Sequence, residues 1–391
     1  MSEKTLSIQK CSSYEQTAVK EAIIKLLEPL GGITAFVRSG NKVLIKPNML
    51  TCKEPERAAT THPAVIEAVA RLCHEAGATV FIGDSPPAVF GRTEEFWEKT
   101  GFAAAARNSG SQLTSFETDA KVPVKFFSNG REITVHLVKT LFLADVVINL
   151  SKMKTHNLTR ITGAVKNLFG LIPGLSKAQW HKVFPRVEEF SDFIADLGHQ
   201  IPVNLNIMDG IEGMDGQGPA GGRVVKSEIL LAATSPVTVD LGFCRLVGLD
   251  PTTVPTLRRC AQLNWGPKTI EEIEFVGCPP EAAVVKDYQV PGTPPISLIP
   301  DFIINFTRRF LWAGPVLLPD TCIKCGRCQK ICPADAITIA ATGAEFDRQK
   351  CISCFCCMEV CPVEAIEMKS SPLLSLGLRM RGLKRRLRKR K

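Results

Sequence analysis

The sequence predicts an α/β fold with a mostly parallel, open sheet and helices on both faces, followed by a small cysteine-rich domain. Between Lys42 and Arg245, short apolar or β-branched runs alternate with stretches of helical periodicity. Such alternation is typical of a parallel sheet covered by helices on each side. The predicted strands are Val43–Ile45, Thr79–Ile82, Val146–Leu150, Leu205–Met208 and Ile229–Leu231, and the clearest helical stretches are Pro63–Glu75 and Arg160–Leu171.

Polar or glycine-containing segments follow the first four of these strands. They read KPN, GDSP, SKMKTH and DGIEGMDGQGP in chain order. In an open parallel sheet, ligands bind beyond the carboxyl ends of the strands. We therefore expect these four segments to form a binding site.

These segments supply most of the candidate site residues. Lysine neutralises a carboxylate or phosphate, histidine transfers protons or binds metal, and aspartate accepts a proton or binds a cation. The candidate catalytic residues are Lys46, Lys152, His156 and Asp209. The candidate substrate-binding residues are Asn48, Asp84, Lys154, Lys166 and Asp215. Their mixture of cations and acids favours a small anionic substrate.

Plainer interpretations stay open for several of these residues. Lys-Pro-Asn at 46–48 also fits a strand cap and turn, His156 fits an ordinary surface histidine, and Asp-Gly at 209–210 is a standard turn signal. Asn167 is a further polar candidate beside Lys166. Because adjacent residues diverge around a helix axis, we expect the two not to face one ligand. No Walker loop or strand-linked GxGxxG sequence is present, so a nucleotide cofactor is not predicted.

The second domain is predicted from the spacing of eight cysteines. The pattern Cys-x₂-Cys-x₂-Cys-x₃-Cys-Pro occurs at Cys322–Pro333 and again at Cys351–Pro362. This is the spacing of bacterial ferredoxins, in which the fourth cysteine of each run binds the other cluster. The sequence therefore predicts a small α+β ferredoxin-like domain with two [4Fe–4S] clusters. The predicted ligands are Cys322, Cys325, Cys328 and Cys361 for one cluster, and Cys351, Cys354, Cys357 and Cys332 for the other.

The two cysteine runs are copies of one another. They begin 29 residues apart, and each continues into an Ala-Ile pair, at 336–337 and 365–366. In the second copy Phe355-Cys356 replaces Gly326-Arg327, so we expect Cys356 to be a non-ligand and the two clusters to differ in their surroundings. Thiolate quartets also bind zinc, but two complete runs that end in Cys-Pro favour iron–sulfur clusters.

Composition divides the chain into four parts. Residues 1–298 are the α/β domain, 299–319 an amphipathic connector, 320–369 the cluster domain and 370–391 a basic tail. The connector has apolar residues at helical spacing, namely Phe302, Ile303, Phe306, Phe310 and Leu311. The tail holds nine cations and no acids, which accounts for the formal net charge of +9. It predicts a basic amphipathic helix or a solvated tail, with apolar residues at Leu376, Met380, Leu383 and Leu387.

The sequence favours an intracellular protein. Its N-terminus lacks the apolar region of a secretory signal, and no uninterrupted apolar run is long enough to cross a bilayer. Fifteen cysteines without such a signal are typical of thiolate ligands in a reducing compartment. We expect a cytoplasmic protein, or one held at the inner face of the membrane by peripheral contact of its tail. Nucleic-acid binding is not expected, because no folded readout module accompanies the tail.

Five segments outside the cysteine runs resemble the family DUF362, a domain of unknown function that is often joined to a ferredoxin module. They are VLIKPNM (43–49), THPAVIEAVARLCHEAGATVFIGDSP (61–86), VVINLSKMKTH (146–156), TGAVKNLFG (162–170) and IMDGIEGMDGQGP (207–219). The resemblance implies an iron–sulfur protein without an assigned reaction.

These observations favour an electron-transfer protein whose α/β domain binds a small anionic substrate, as in a ferredoxin-dependent reductase. A redox partner protein would supply or receive the electrons. The alternatives are a non-enzymatic electron carrier and a maturation factor, each with the α/β domain as a docking platform. The sequence does not choose among these three.

Overall fold

A computed structural model describes residues 2–86, 93–174, 176–292 and 312–371. The strands are β1 (Thr5–Lys10), β2 (Lys42–Pro47), β3 (Thr79–Ile82), β4 (Gln112–Leu113), β5 (Lys121–Ser128), β6 (Arg131–Val138), β7 (Val146–His156), β8 (Arg160–Ile161), β9 (Leu205–Asp215), β10 (Arg223–Ala233), β11 (Glu274–Gly277), β12 (Ala313–Leu317), β13 (Ile337–Ala340), β14 (Gly343–Phe346) and β15 (Ile366–Ser370).

Helices occupy much of the chain between these strands. The α-helices are α1 (Gln16–Leu27), α2 (Pro63–Glu75), α3 (Thr93–Lys99), α4 (Phe102–Ser109), α5 (Lys139–Leu143), α6 (Gly163–Asn167), α7 (Ser176–Val183), α8 (Val187–His199), α9 (Pro236–Leu246), α10 (Pro255–Leu263), α11 (Arg327–Ile331) and α12 (Cys356–Glu359). Single 3₁₀ turns lie at Glu28–Leu30, Ile33–Ala35, Pro55–Arg57, Leu168–Leu171, Pro251–Thr253, Ile270–Glu272, Pro280–Ala283 and Pro319–Thr321.

The larger domain is built on one nine-stranded sheet. Its strand order is β11-β1-β10-β9-β7-β2-β3-β4, and the short β8 pairs with β7. From β9 to β4 every neighbouring pair is parallel, whereas β10 is antiparallel to both β1 and β9. The prediction of a mostly parallel α/β sheet is confirmed.

Helices lie on both faces of this sheet because strand residues alternate between two cores. On β2, Val43 and Ile45 belong to the core that contains α1, α2 and α4. Leu44, between them, belongs to the core that contains α6, α8, α9 and α10. Since successive strand side chains point to opposite faces, one continuous apolar run supplies both cores.

Strands β7 and β9 run farther than the sequence predicted. The segments SKMKTH and DGIEGMD, which we expected to follow strands, form their second halves. Lys152 of β7 is the register partner of Asp209 of β9, and their side chains form a buried ion pair of 2.8 Å. Because these polar side chains are paired inside the protein, the strands continue through them.

The predicted helix over Arg160–Leu171 is also broken into three parts. It starts as β8, continues as the one-turn α6 and ends as the 3₁₀ turn Leu168–Leu171. Gly163 begins α6 with a φ of 62°, a left-handed conformation that interrupts a right-handed helix. The polar residues of this region therefore lie on a short turn rather than along one regular helix.

The small domain repeats its backbone as well as its sequence. Strand β12 pairs with β15 and β13 with β14, both antiparallel, and α11 and α12 follow the two cysteine loops. Left-handed backbone conformations recur at a spacing of 29 residues, with positive φ at Lys324 and Ser353, at Gly326 and Phe355, and at Asp335 and Glu364. The predicted small α+β domain is confirmed in this form.

Parts of the predicted connector and tail lie outside the described residues. These parts are the helical stretch of the connector at 302–311 and the tail beyond Ser371. The end of the connector, at Ala313–Leu317, is the strand β12 of the small domain. In the described part of the chain, no helix has the length and apolar character that a membrane span needs.

Candidate active site between the two domains

Two cavities in the small domain are lined by the predicted ligand cysteines. One is bordered by Cys322, Cys325, Cys328 and Cys361. The other is bordered by Cys332, Cys351, Cys354 and Cys357, with Cys356 as a fifth cysteine in its lining. Each set joins three cysteines of one run with the fourth of the other run. Most remaining lining residues are apolar, and no histidine or carboxylate competes as a ligand in either lining. Four thiols in such a setting fit an iron–sulfur cluster.

A cleft lies between the α/β domain and the small domain. Its cavity volume is about 70 Å³, below the range of about 300–1,000 Å³ that is typical of sites for drug-sized ligands. The small domain contributes Ile331, Cys356 and Glu359 to its wall. The polar and charged residues contributed by the α/β domain are Lys46, Asn48, Asp84, Ser85, Lys154, Thr162, Lys166, Asn167, Lys177 and His181.

Lys46 and Asp84 form a buried ion pair at the ends of β2 and β3. Lys46 Nζ lies 2.9 Å from Asp84 Oδ1 and donates to the carbonyl oxygen of Pro47 at 2.9 Å. Asp84 Oδ2 accepts the backbone N–H of Met49 at 2.7 Å. Burial lowers the pKa of the Lys46 ammonium, and the Asp84 carboxylate partly offsets this. The pair fixes one charged corner of the cleft.

A chain of amides connects this corner to Lys154 of β7. Lys154 Nζ donates to Asn48 Oδ1 at 2.7 Å, and Asn48 Nδ2 donates to Asn167 Oδ1 at 2.9 Å. Asn167 Nδ2 continues the chain to Asn149 Oδ1 at 2.8 Å. Because Lys154 has only neutral oxygens as hydrogen-bond acceptors, burial lowers its pKa well below the usual value. Its charged form lacks a carboxylate partner in this chain of amides.

Lys166 and Asn167 both line the cleft, contrary to the expectation that neighbours on a helix diverge. The helix α6 has only one turn, and the amide chain holds Asn167 at its end toward Asn48. Lys166 lies beside Glu359, whose carboxylate opposes the lowering of the Lys166 pKa by burial. The two side chains therefore meet the same cleft from one short turn.

Lys177 of α7 is a further cleft cation that the sequence reasoning missed. Its Nζ donates to the carbonyl oxygen of Ser85 and to that of Pro86, the latter at 3.3 Å. Burial lowers the pKa of Lys177 to about 8, although the carboxylates of Asp84 and Glu117 oppose this. The ammonium form still predominates at neutral pH.

His181 and Glu359 line the side of the cleft nearest the small domain, whereas the predicted catalytic residue His156 lines a neighbouring cavity with Glu359. His156 Nε2 lies 3.4 Å from Glu359 Oε1. Burial lowers the pKa of His156 to about 4 and that of His181 to about 3, so both rings are neutral at pH 7. Burial opposes ionisation of Glu359, yet the side chains of His156 and Lys166 help to lower its pKa to about 2. Glu359 is therefore an anion at this boundary.

Glu359 and His181 were also absent from the sequence-based candidates. A signal for Glu359 was present, because the position 29 residues earlier is Lys330, so the duplication reverses a charge there. His181 and Lys177 had no such signal. Both lie on α7, and only the fold brings this helix to the cleft.

Lys152 and Asp209 form a separate buried network and do not line the cleft. Lys152 Nζ contacts Asp209 Oδ2 and the hydroxyl of Tyr14, each at 2.8 Å. Tyr14 donates to Asp209 Oδ1 at 2.9 Å and stacks on His62 with ring centroids 3.5 Å apart. The backbone N–H of Glu212 donates to the Tyr14 hydroxyl at 3.0 Å. These contacts satisfy the polar atoms among themselves.

Asp215 is likewise outside the cleft. Both of its carboxylate oxygens accept hydrogen bonds from Arg223, at 3.1 and 2.7 Å, and the backbone N–H of Gln289 also donates to it at 2.8 Å. Asp215 and Arg223 are register partners on β9 and β10. Asp215 therefore ties two strands and a following loop together.

Comparison with known protein families finds two models that match separate parts of the chain. A family model described as a domain of unknown function, DUF362, matches residues 43–245, which hold every cleft residue of the larger domain. The chain belongs to the DUF362 family. A second model, described as a 4Fe-4S dicluster domain, matches residues 316–368 of this DUF362 protein. It is therefore an iron–sulfur protein with a ferredoxin-type, electron-transfer domain.

Two similar proteins extend this comparison. The DUF362 protein is 35% identical over 296 residues to a thylakoid-associated protein of Synechocystis sp., a match that covers 74% of this chain and 88% of the relative. It also aligns with the lactate racemase apoprotein from Thermoanaerobacterium thermosaccharolyticum, with 14% identity and a TM-score of 0.39. That alignment covers 62% of this chain and 57% of the racemase, so the chain spans a little over half of the racemase.

Proposed function

We propose that this protein is a reductase that binds a small anion in the cleft and reduces it with electrons from two [4Fe–4S] clusters. The observation that carries the proposal is the position of the cleft. Lysines of the α/β domain form one wall, and the second cysteine loop forms the facing wall through Cys356. A bound anion would therefore lie against the cluster domain.

Charge supports an anionic ligand. The cleft is lined by the ammonium groups of Lys46, Lys154, Lys166 and Lys177, against the carboxylates of Asp84 and Glu359. Burial lowers the pKa of all four lysines, which shows that each ammonium is destabilised by loss of water. A carboxylate or phosphate bound between these ammonium groups would pair with them and so compensate for their loss of hydration.

Cys356 supports electron delivery into the cleft. It lines both the cleft and the cavity that is bordered by Cys332, Cys351, Cys354 and Cys357. A [4Fe–4S] cluster supplies one electron at a time, so two clusters together supply the pair that reduction of a double bond requires. Reduction of that bond also takes up two protons. Lys177, with a pKa of about 8, can deliver one of these protons near neutral pH, and the second proton comes from solvent.

The test uses the anaerobic, cluster-reduced full chain mixed with small anions. Inorganic phosphate serves as an anion that cannot be reduced, and 2-oxo and 2,3-unsaturated carboxylates serve as reducible ones. We expect at least one carboxylate to reoxidise the clusters, seen as recovery of their visible absorption, and phosphate to compete with it. Lys166→Met should slow this reoxidation at least tenfold while the iron content stays at that of the wild type.

Lys350→Met is the matched control, because its side chain is exposed and is not among the residues that line the cleft. It should reoxidise at the wild-type rate. If no small anion binds and the reduced clusters instead pass their electrons to another protein, the chain is an electron carrier or a maturation factor and not a reductase. The cytoplasmic location and the peripheral membrane contact of the basic tail stay predictions.

A further inference from the structure

The two cysteine loops differ in charge at equivalent positions. A shift of 29 residues relates Lys324 to Ser353, Arg327 to Cys356 and Lys330 to Glu359. The first loop therefore carries three cations where the second carries a hydroxyl, a thiol and a carboxylate. Within 320–331 the one acid is Asp320, so the first loop is cationic on balance.

The first loop also faces solvent. Ile323 is 60% exposed, although it is a large apolar side chain, and its counterpart Ile352 is half-buried. The neighbouring residues Lys324 and Cys325 are exposed as well. An exposed apolar side chain beside a cluster ligand and several cations has the composition of a protein-docking surface.

The second loop is covered by the α/β domain. Phe355 and Cys356 are buried, and Cys356 packs with Ile331 and with Ala178 of α7. Because this loop is covered and adjoins the cleft, a protein partner reaches the module more directly through the first loop. The two loops thus offer one open face and one face turned toward the candidate active site.

We propose that the exposed part of the first cysteine loop, residues 320–325 and 329–330, is the docking surface for an acidic one-electron carrier protein. The reduced carrier loses one electron, and the cluster held by Cys322, Cys325, Cys328 and Cys361 gains it, with no bond or proton transferred. This inference deepens the proposed reductase function and rests on it for the onward path of electrons to the cleft. Lys324 and Lys330 steer the acidic partner, and Ile323 is the apolar anchor.

The experiment compares two charge-reversed double variants of the full chain with clusters assembled. Lys324→Glu/Lys330→Glu alters the first loop. Lys350→Glu/Lys369→Glu makes the same change in net charge at two other exposed lysines of the small domain. The probe is an acidic bacterial-type ferredoxin. Its dissociation constant is measured in the oxidised form, and its rate of reducing the clusters is measured by stopped-flow absorption at low ionic strength.

We expect the first-loop variant to weaken ferredoxin binding and to slow the reduction by at least tenfold, because steering by charge changes association rates by about 10–1000-fold. The control variant should have a dissociation constant and a reduction rate within about twofold of the wild type. Added salt should reduce the difference in rate between the first-loop variant and the wild type. All chains carry the basic tail, so its attraction for ferredoxin is common to every arm. No small anion is present, so the result is independent of whether the cleft reduces one.

Reduction by photoreduced 5-deazariboflavin, a small uncharged reductant, checks that the variants have intact clusters. Both should react with it at the wild-type rate. If Lys324→Glu/Lys330→Glu fails to hold iron, Lys324→Gln/Lys330→Gln replaces it, with an expected loss of about threefold, since it removes the cations without reversing them. An unchanged ferredoxin rate in the first-loop variant, or an equal loss in both double variants, would overturn the proposal.

Discussion

Oε1 of Glu359 lies 3.4 Å from Nε2 of His156, which joins the second cysteine loop to the last residue of the central strand β7. Glu364, from the same copy of the cysteine motif, contacts Lys53 and also Arg57, the latter at 2.8 Å. All three contacts cross between the two domains. The second copy is therefore the half of the small domain that is held against the α/β domain, which places its cysteine cavity beside the cleft.

Anion binding should weaken as the pH rises through about 8. In the free protein the pKa of Lys177 is about 8, so its ammonium is largely intact at pH 7 and largely lost at pH 9. A bound anion stabilises the ammonium form, so binding above pH 8 requires uptake of a proton. We expect the dissociation constant of sulfate, whose own charge does not change in this range, to rise by up to tenfold per pH unit above pH 8.

Lys177→Arg provides the control for this pH dependence. A guanidinium remains protonated throughout the range, so the variant should bind sulfate with a much flatter profile between pH 7 and 9. Isothermal titration at several pH values measures both curves. An identical slope in the wild type and Lys177→Arg would assign the titration to another group.

Gly170→Ala should disrupt the charged corner of the cleft. A methyl group at this position would lie 2.4 Å from Asp84 Oδ1 and 2.6 Å from Lys46 Nζ, closer than atoms can approach. Because the ion pair is buried, overpacking there should lower the free energy of unfolding by about 1–3 kcal/mol. Sulfate affinity should fall by about tenfold, which corresponds to ~1.4 kcal/mol of binding free energy.

Gly221→Ala is the matched control for Gly170→Ala. The nearest atom that its methyl group would meet is 3.7 Å away, an ordinary contact, and its φ is not in the left-handed region. Anaerobic urea unfolding and sulfate titration should leave it indistinguishable from the wild type. If Gly170→Ala behaves in the same way, the Lys46–Asp84 pair has room to move and does not shape the cleft.

At position 355 the glycine variant should be more stable than the alanine variant, the reverse of the usual order inside a helix or strand. The φ of Phe355 is 63°, which is left-handed, and its first-copy counterpart is Gly326 with a φ of 73°. Loss of the buried ring should destabilise either variant by about 3–5 kcal/mol. Phe355→Gly should then be about 1 kcal/mol more stable than Phe355→Ala, because glycine adopts this conformation without strain.

Gly326→Ala tests the backbone contribution by itself. Its methyl group would meet no atom of the protein within 4 Å, so the contribution of the protein chain to any loss of stability comes from the left-handed backbone. We expect a loss of about 1 kcal/mol in urea unfolding of the anaerobic holoprotein. An alanine variant at 355 that is more stable than the glycine variant would contradict the backbone argument.

The limits of sequence reasoning are clearest along β7. The apolar run Val146–Leu150 predicts the first half of the strand, and helix α2 was predicted with the observed bounds, because continuous apolar or helical periodicity reports burial directly. Lys152 and Lys154 read as loop residues because lysine is rarely buried. Their partners are Asp209 and Asn48, which lie more than fifty residues away along the chain.

The candidate site was predictable where residues follow strand ends and not where they depend on the packing of distant segments. Lys46, Asn48, Asp84 and Lys154 line the cleft, whereas Lys152 and Asp209 sit in another network of the same sheet. Adjacent strands bring both groups to one region, but the side to which each polar residue turns depends on its partners. No local pattern reports those partners.

The Lys152–Asp209 network should serve stability and not anion binding, which Tyr14→Phe tests. The substitution keeps the ring that stacks on His62 and removes the hydroxyl that joins Lys152 to Asp209. Hydrogen bonds to charged groups each contribute about 1.5–3 kcal/mol, so we expect a loss of about 2 kcal/mol in anaerobic urea unfolding. Sulfate affinity should stay within about twofold of the wild type.

Tyr288→Phe gives the comparison for this loss. Its buried hydroxyl donates to the neutral carbonyl oxygen of Met214 at 2.7 Å, so its removal should cost only about 1 kcal/mol. A larger loss of stability in Tyr14→Phe than in Tyr288→Phe would then show that the Tyr14 hydroxyl bonds to charged groups, those of Lys152 and Asp209. The contrary outcome is a Tyr14→Phe variant that unfolds like the wild type but binds sulfate poorly. Loss of the hydroxyl next to Lys152 would then have changed ligand binding and not stability, so Lys152 would belong to the anion site.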